Sequence, residues 1–314
     1  MPYPCAAADP HRVPTLVRLQ EVKIDADLAR RLVDSQLPQF AHLPIAPVEH
    51  DGWDNRTFRL GRDLTIRLPS GPWYAQQVAK EQRWLPLLAP RLPLPIPTPV
   101  AQGEPAGEYP YAWSVYRWLD GALASQAHVA DKTAFAAALA RFLTALAGAP
   151  ATDGPGPGEH NFFRGGPLGH YEAEALDAID TLGGEIPRDA VMRAWEDAMS
   201  TRYDGEPVWF HGDVAAGNLL VRDGRLAAVI DFGSSGVGDP ACDMVIAWTY
   251  LDAAARDRFR EERGVDDATW SRGRGWGLWK ALITLAGKLE NHEPDADVPR
   301  RDIAHILADY EQRR

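Results

Sequence analysis

Cysteine is scarce in this sequence. The 314 residues hold two, Cys5 and Cys242, far apart and with no second Cys or His at metal-ligand spacing, which argues against a disulfide framework and against a zinc site. No stretch approaches the roughly 18 apolar residues that would cross a bilayer, and the opening MPYPCAAADPHRVPTLVRLQEV lacks a charged region followed by an apolar one. No membrane partner is expected, and a reducing cytoplasm is the expected compartment. Positive charge is in deficit: 33 Lys and Arg stand against 44 Asp and Glu, for a net charge of -11. That argues against a broad nucleic-acid footprint, so no nucleic acid is expected as a partner. It leaves ordinary solubility beside a cationic or metal-bridged ligand. Internal repeats and low-complexity tails are missing as well.

What is present is ample material for a core. With 45% hydrophobic residues, the length suits one large domain or two lobes. DADLARRLVDSQ (25–36) reads as a helix with Asp25 at its start, and VEHDGWDNRTFRLGRDLTIRLP alternates like a hairpin with turn formers at Gly52 and Gly61. WYAQQVAKEQRWLPLLAP is amphipathic, with Val78, Leu85 and Leu88 toward a core, and the prolines from Pro86 to Pro99 are expected to forbid its continuation as a helix. YAWSVYRWLDG then reads as a buried strand ending at Gly121. Helical patterns dominate afterwards, in the stretches beginning at Thr133, Gly169, Pro187, Asp239, Gly275 and Arg301, with DGPGPGEH (153–160) as a loop among them. The fold class is therefore α+β. Residues 1–116 form a small N-terminal lobe of β-sheet plus a helix pair, and residues 117–314 a larger, mainly helical lobe.

Chemistry concentrates in WFHGDVAAGNLLVRDGRLAAVIDFGSSGVGDPACDM (209–244). VWF before His211 and the pair NLLV and LAAVI, joined by a tight turn at 222–225, read as short strands that bring Asp213 and Asp231 to neighbouring strand ends. Phosphoryl transfer needs oxygen ligands for magnesium between nucleotide phosphates, and separately a carboxylate that aligns the attacking hydroxyl and accepts its proton. Asn218 and Asp231 suit the first task and Asp213 the second.

His211-Gly212-Asp213, Asn218 five residues after that Asp, Ile230-Asp231-Phe232-Gly233 and the following Gly-Asp-Pro resemble the motifs of aminoglycoside phosphotransferases, antibiotic kinases of protein-kinase-like, two-lobed fold. The resemblance covers about residues 45–290 and is firm over 209–244. It implies Asp213 as catalytic base, Asn218 and Asp231 as magnesium ligands, and ATP or GTP as phosphate donor. In the smaller lobe it sets LTIRLP where the family's strand bears a phosphate-binding Lys, here Arg67, and Glu81 where a helix supplies the partner of that Lys. Arg offers a planar fork in place of a point charge. Lys80, adjacent to Glu81 on a helix, is expected to point elsewhere. HDGWDNRTFRLG lies where a phosphate-covering turn belongs but has no G-x-G-x-x-G. YRWLDG lies at the interlobe hinge, making Arg117, Trp118 and Leu119 candidates to hold the nucleotide base with backbone groups.

Gly212 stands where protein kinases have the Arg of His-Arg-Asp, and Pro240 follows only nine positions after Asp231, so there is no room for an activation segment. The expected partners are a nucleoside triphosphate and a small hydroxyl-bearing substrate, on a monomer or homodimer. Glu172, Glu174, Glu196, Asp197, Glu290 and Glu293 suit the amino groups of an aminoglycoside, the leading expectation, although each alone reads as a solvated helix residue. Trp276 and Trp279, with Ile283 at helical spacing, read as core or as the apolar wall a macrolide would need. His160 and His170 read as loop residues, and His211 as a structural hydrogen-bonding residue of the turn. The alternatives are a macrolide or metabolic small-molecule kinase of the same superfamily, and a nucleotide-binding pseudokinase favoured only by Arg67.

Overall fold

The structure is a computed structural model that describes residues 23–48, 52 and 54–313. The opening segment with Cys5, and His50, Asp51 and Trp53 of the expected phosphate-covering turn, lie outside the described residues. The chain divides into two compact units. One takes residues up to Val78 with Pro99–Trp118; the other takes Ala79–Thr98 and everything from Leu119 onward.

In the first unit, Asp25 caps helix α1 (Ala26–Gln36) by accepting the Leu28 N–H at 2.9 Å. Strands β1 (Ile45–Pro47), β2 (Asn55–Leu60) and β3 (Leu64–Pro69) follow, then helix α2 (Pro72–Leu88), β4 (Pro99–Gly103) and β5 (Trp113–Arg117). The five strands form one antiparallel sheet in the order β1-β2-β3-β5-β4. The expected hairpin is β2–β3, and Gly61 at its turn has φ 63°. Leu28, Leu32 and Val33 of α1 bury against Phe58, Ile66, Trp113 and Val115 of the sheet. Gly103 makes room for Trp113, since a Cβ there would stand 2.0 Å from the indole. The strand expected over YAWSVYRWLDG ends at Arg117, short of Gly121.

Helix α2 begins in the first unit and continues into the second. Pro86 does not stop it, contrary to the sequence expectation. Pro86 lies in the last turn, where one backbone hydrogen bond is forfeited, while Leu85 and Leu88 on either side are buried and anchor the turn. Val78 is buried with them, as its spacing predicts.

The second unit continues with β6 (Ala122–Leu123), α3 (Lys132–Ala147), α4 (Glu172–Leu182) and α5 (Arg188–Met199). Next come the short strands β7 (Val208–Phe210), β8 (Leu219–Arg222), β9 (Arg225–Val229) and β10 (Gly236–Gly238). Helices α6 (Ile246–Thr249), α7 (Ala253–Arg263), α8 (Asp267–Glu290) and α9 (Asp297–Gln312) complete it. Three sequence expectations are corrected here. Strand β7 does not join the hairpin; it pairs with β10, while β8 and β9 form a sheet with β6. The helix expected from Asp239 is broken into a 3-10 segment, Pro240–Val245, and the single turn of α6. Helix α8 begins at Asp267, well before Gly275. Gly273, Gly275 and Gly277 weaken the helical signal, but Cβ atoms at Gly273 and Gly275 would stand 2.5 Å from Met244 and 2.3 Å from Leu168, so close packing offsets their low propensity.

Candidate active site

Strand β7 delivers the chain into His211-Gly212-Asp213. Gly212 has φ 85°, and a Cβ on it would lie 2.3 Å from the Ser234 carbonyl oxygen, so glycine is required twice over. The buried Asp243 fixes this turn by accepting the His211 N–H at 2.9 Å and the Gly212 N–H at 2.7 Å. Burial pushes the Asp243 carboxyl up, and those two amides only partly offset it. The His211 ring bridges two segments: its Nδ1 accepts from the Asp213 N–H at 3.3 Å, and its Nε2 donates to the Ile230 carbonyl at 3.0 Å. That is the pattern of a neutral ring holding a turn, which is the structural role the sequence predicts.

Asn218 closes the constellation. Its Nδ2 donates to the Asp213 carbonyl and to Asp213 Oδ2, each at 2.9 Å, and its own carbonyl accepts the Ile230 N–H at 2.9 Å. Asp213 and Asn218 are thus in direct contact, and Asp231 joins them through the neighbouring Ile230. The hairpin β8–β9 makes this reach possible by reversing at Asp223 and Gly224, whose φ values of 54° and 72° are those of a tight two-residue turn. Asp231 has φ 66°, a left-handed conformation that Asp tolerates better than most residues. Phe232 after it is fully buried, edge-on to the His211 ring at 4.7 Å. Lys80 of α2 reaches the turn that follows Asp231: its Nζ donates to the carbonyls of Gly233 at 2.5 Å and Ser235 at 3.0 Å. Burial lowers Lys80 to about 8 against the pull of Glu81 and Asp231.

The donor set fits magnesium. With its amide nitrogen engaged by Asp213, Asn218 has Oδ1 to offer a cation, and Asp231 adds a carboxylate, so both donors are hard oxygens. Among the described residues no group of three His, Cys, Asp or Glu is arranged to hold a metal.

Asp213 also lines a narrow pocket with Arg164, Val214, Trp276, Trp279 and Lys280. Lys280 Nζ stands 3.0 Å from Asp213 Oδ1. Burial works to raise the Asp213 carboxyl, but the Lys280 ammonium, helped by His211 and then Arg164, outweighs it and holds the group at about 2. Sequence reasoning missed Arg164 and Lys280. Lys280 follows Trp276 by one helical turn, a spacing that flags a shared face.

Trp276 and Trp279 are both buried and pocket-lining, and Ile283 is half-buried. Of the acidic residues considered, Glu174 accepts the Trp279 indole N–H at 2.6 Å, Asp197 pairs with Arg274 at 3.1 Å and Glu293 with Lys288 at 3.6 Å. Glu172, Glu196 and Glu290 are exposed. His160 lies 3.3 Å from Lys80, and His170 stacks on Phe163 at 4.0 Å.

The expected nucleotide residues fall in both units. Arg67, Arg117 and Trp118 belong to the first, Glu81 and Leu119 to the second. Arg67 Nη2 stands 3.4 Å from Asp54 Oδ2 inside the first unit, and Glu81 is buried on α2. Arg117 is exposed at the end of β5. The Trp118 N–H donates to the Asp63 carbonyl at 2.8 Å, and its ring lies 3.8 Å below the Arg59 guanidinium.

The chain belongs to the phosphotransferase enzyme family (APH), whose family profile matches residues 45–276. An aminoglycoside 3'-phosphotransferase of Escherichia coli is 29% identical over 104 residues, which are 32% of this chain and 38% of that protein. The chain thus spans well under half the length of the curated relative it matches. Among solved structures, the GDP complex of aminoglycoside 2'-phosphotransferase-IIIa superposes with a TM-score of 0.67 at 18% identity, covering 93% of this chain and 100% of that one. Macrolide 2'-phosphotransferase MphH from Brachybacterium faecium does so with a TM-score of 0.58 at 19% identity, over 90% and 97%. At such identities the likeness shows the fold: an N-terminal antiparallel sheet and a mainly helical remainder, α+β and kinase-like.

Proposed function

We propose that this chain is a magnesium-dependent phosphotransferase that moves the γ-phosphate of ATP or GTP to a hydroxyl of a small molecule. The observation that carries the proposal is the Asn218 amide donating to Asp213 Oδ2, which orients that carboxylate and leaves Asn218 Oδ1 as a donor that would hold a metal. Arg67 and Glu81 are each assigned to the nucleotide phosphates, and the backbone of Arg117, Trp118 and Leu119 to the base. Magnesium held by Asn218 and Asp231 would neutralise charge on the β- and γ-phosphate oxygens.

Asp213 holds the acceptor hydroxyl in line with the γ-phosphorus. The hydroxyl oxygen forms the new P–O bond, the bond to the β,γ-bridging oxygen breaks, the nucleoside diphosphate leaves, and Asp213 takes the hydroxyl proton. A carboxyl held at about 2 is a weak base, which suits a loose transition state in which the proton leaves late and the carboxylate chiefly orients the nucleophile. Aminoglycosides and macrolides, the classes in the relatives' names, are the first acceptors to test, and an antibiotic-resistance role would follow from either.

Purified protein with magnesium and ATP or GTP, offered aminoglycosides, macrolides and small alcohols, should transfer phosphate to at least one acceptor. Asp213→Ala should lower turnover by about 100 to 10,000-fold while nucleotide binding persists. A variant rate within threefold of wild type would remove Asp213 from the role of base. Nucleotide binding with no transfer to any acceptor would favour the pseudokinase.

A further inference from the structure

We propose that the subsite beside Asp213 binds an anionic group of the acceptor, a carboxylate or similar monoanion, through Arg164 and Lys280. The proposal rests on the phosphotransferase reading for where the acceptor hydroxyl lies, and adds the charge of what accompanies it. The pocket that holds Asp213, Arg164 and Lys280 has neither Asn218 nor Asp231 in its lining, which separates it from the candidate metal ligands.

Arg164 carries the argument. Its guanidinium is caged by three aromatic rings, 4.7 Å from Trp279, 5.3 Å from Trp276 and 5.7 Å from Tyr171. Its side-chain polar partners are the Phe162 carbonyl at 3.5 Å and the Tyr171 hydroxyl, and it forms no ion pair with a described carboxylate. Three buried arginines of the same unit are matched, Arg272 with Asp239 at 2.7 Å, Arg274 with Asp197 at 3.1 Å and Arg256 with Asp309 at 3.8 Å, whereas the buried Arg263 has Thr144 Oγ1 at 3.3 Å in place of a carboxylate. A guanidinium has five N–H donors in a fork that fits a carboxylate, and rings that fix its plane reduce the entropy lost when an anion docks.

The local charge points the same way. Among the residues that line the pocket, Arg164 and Lys280 are positive and Asp213 negative, one positive charge in excess on the wall itself, with Glu174 and Asp302 behind it. A monoanionic acceptor neutralises that excess, whereas each ammonium of a polycationic acceptor placed here would add to it. Glu174, one of the helical acids considered as amine ligands, accepts the Trp279 indole N–H. The net charge of -11 thus gives the wrong sign at this one spot, because an overall balance says nothing of a single cluster.

The transferring γ-phosphate is the other anion that such a pair could meet, and the test separates the two sources. Glycolate, glycerate and gluconate would be titrated against glycerol, glucose and glucosamine with magnesium–ADP present, following the fluorescence of the tryptophans beside Arg164, and each compound would also be assayed for phosphate transfer. The carboxylates should bind at least about tenfold more tightly than their uncharged or amino counterparts. Arg164→Gln should abolish that preference and Arg164→Lys, which keeps the charge but not the planar fork, retain only part of it, with the nucleotide KM moving less than threefold. Equal binding of glycerol or glucosamine overturns the proposal, as does an Arg164→Gln effect confined to the nucleotide KM. If Arg164→Gln fails to fold, the wild-type comparison of each acid with its amide decides in its place. Carboxylate binding that depends on Arg164 without phosphorylation of any acceptor supports the anion subsite and counts against phosphotransfer. Preferred phosphorylation of kanamycin or glucosamine does the reverse.

Discussion

At the scale of single residues, Asp213 and Asp231 are chemically alike and differ by their neighbours. On the proposed reading Asp231, held in a left-handed turn, is a magnesium ligand, so Asp231→Asn should weaken nucleotide binding in magnesium as well as turnover, and excess magnesium should recover part of both. Calorimetry showing unchanged magnesium–nucleotide affinity would count against that role. Asp213 is governed by Lys280. Removing the ammonium in Lys280→Met leaves burial as the dominant influence, and burial raises a carboxyl. The acid limb of the pH–rate profile should therefore move to higher pH, from a wild type in which Asp213 stays ionised down to about 2. An acid limb in the same place in both proteins would mean that Lys280 does not set the charge state of the base.

At the scale of elements, the turn after β7 depends on a residue with no side chain. Gly212→Ala adds a Cβ at φ 85° and 2.3 Å from the Ser234 carbonyl, so the backbone between His211 and Asp213 must shift. A displacement near 1 Å at a reacting group lowers activity by about 100-fold, and strain of this kind costs roughly 1–3 kcal/mol. The expected result is a folded, less stable protein with little transfer activity; wild-type kcat would show that the turn is more pliant than its packing indicates. The motif over 209–244 made this turn legible in the sequence, because Asp213, Asn218 and Asp231 meet through contacts between near neighbours in the chain. The helices with apolar periodicity were legible for the same reason, including α3, α5 and α9. What escaped depended on packing between distant segments. The glycines that start α8 look like helix breakers until Met244 and Leu168 are seen against them, and the pairing of β7 with β10 follows no local signal. Arg164 and Lys280 escaped because they meet Asp213 from a loop and a helix far away in sequence.

At the scale of the whole molecule, the second unit carries charge in its interior, and most of it is matched. Asp309, almost fully buried, gathers Arg313 at 2.7 Å, Arg274 at 3.6 Å and the Trp270 indole N–H at 2.9 Å, tying α9 to α8. Asp302 on α9 is buried too but poorly matched: its Oδ1 accepts no hydrogen bond among the described residues, and Arg301 approaches only to 3.7 Å. Burial raises its carboxyl to about 6, with Arg301, His305 and Lys280 pulling the other way. The folded protein therefore binds the Asp302 proton more tightly than the unfolded chain does. Stability from this group is fully present below the ordinary carboxylate value, 3.8, and is lost as pH rises through about 6. Asparagine has nearly the same shape and no charge to bury, so Asp302→Asn should stabilise the protein above pH 7 by on the order of 1–3 kcal/mol, or about 2–8 °C in Tm. Below pH 4 the wild-type carboxyl is protonated in both states, and the two melting curves should converge. Thermal melts of wild type and variant across pH 4 to 8 decide the matter: a constant Tm difference over that window, or a loss of stability at pH 8, would mean that Asp302 is ionised at little cost in the native state.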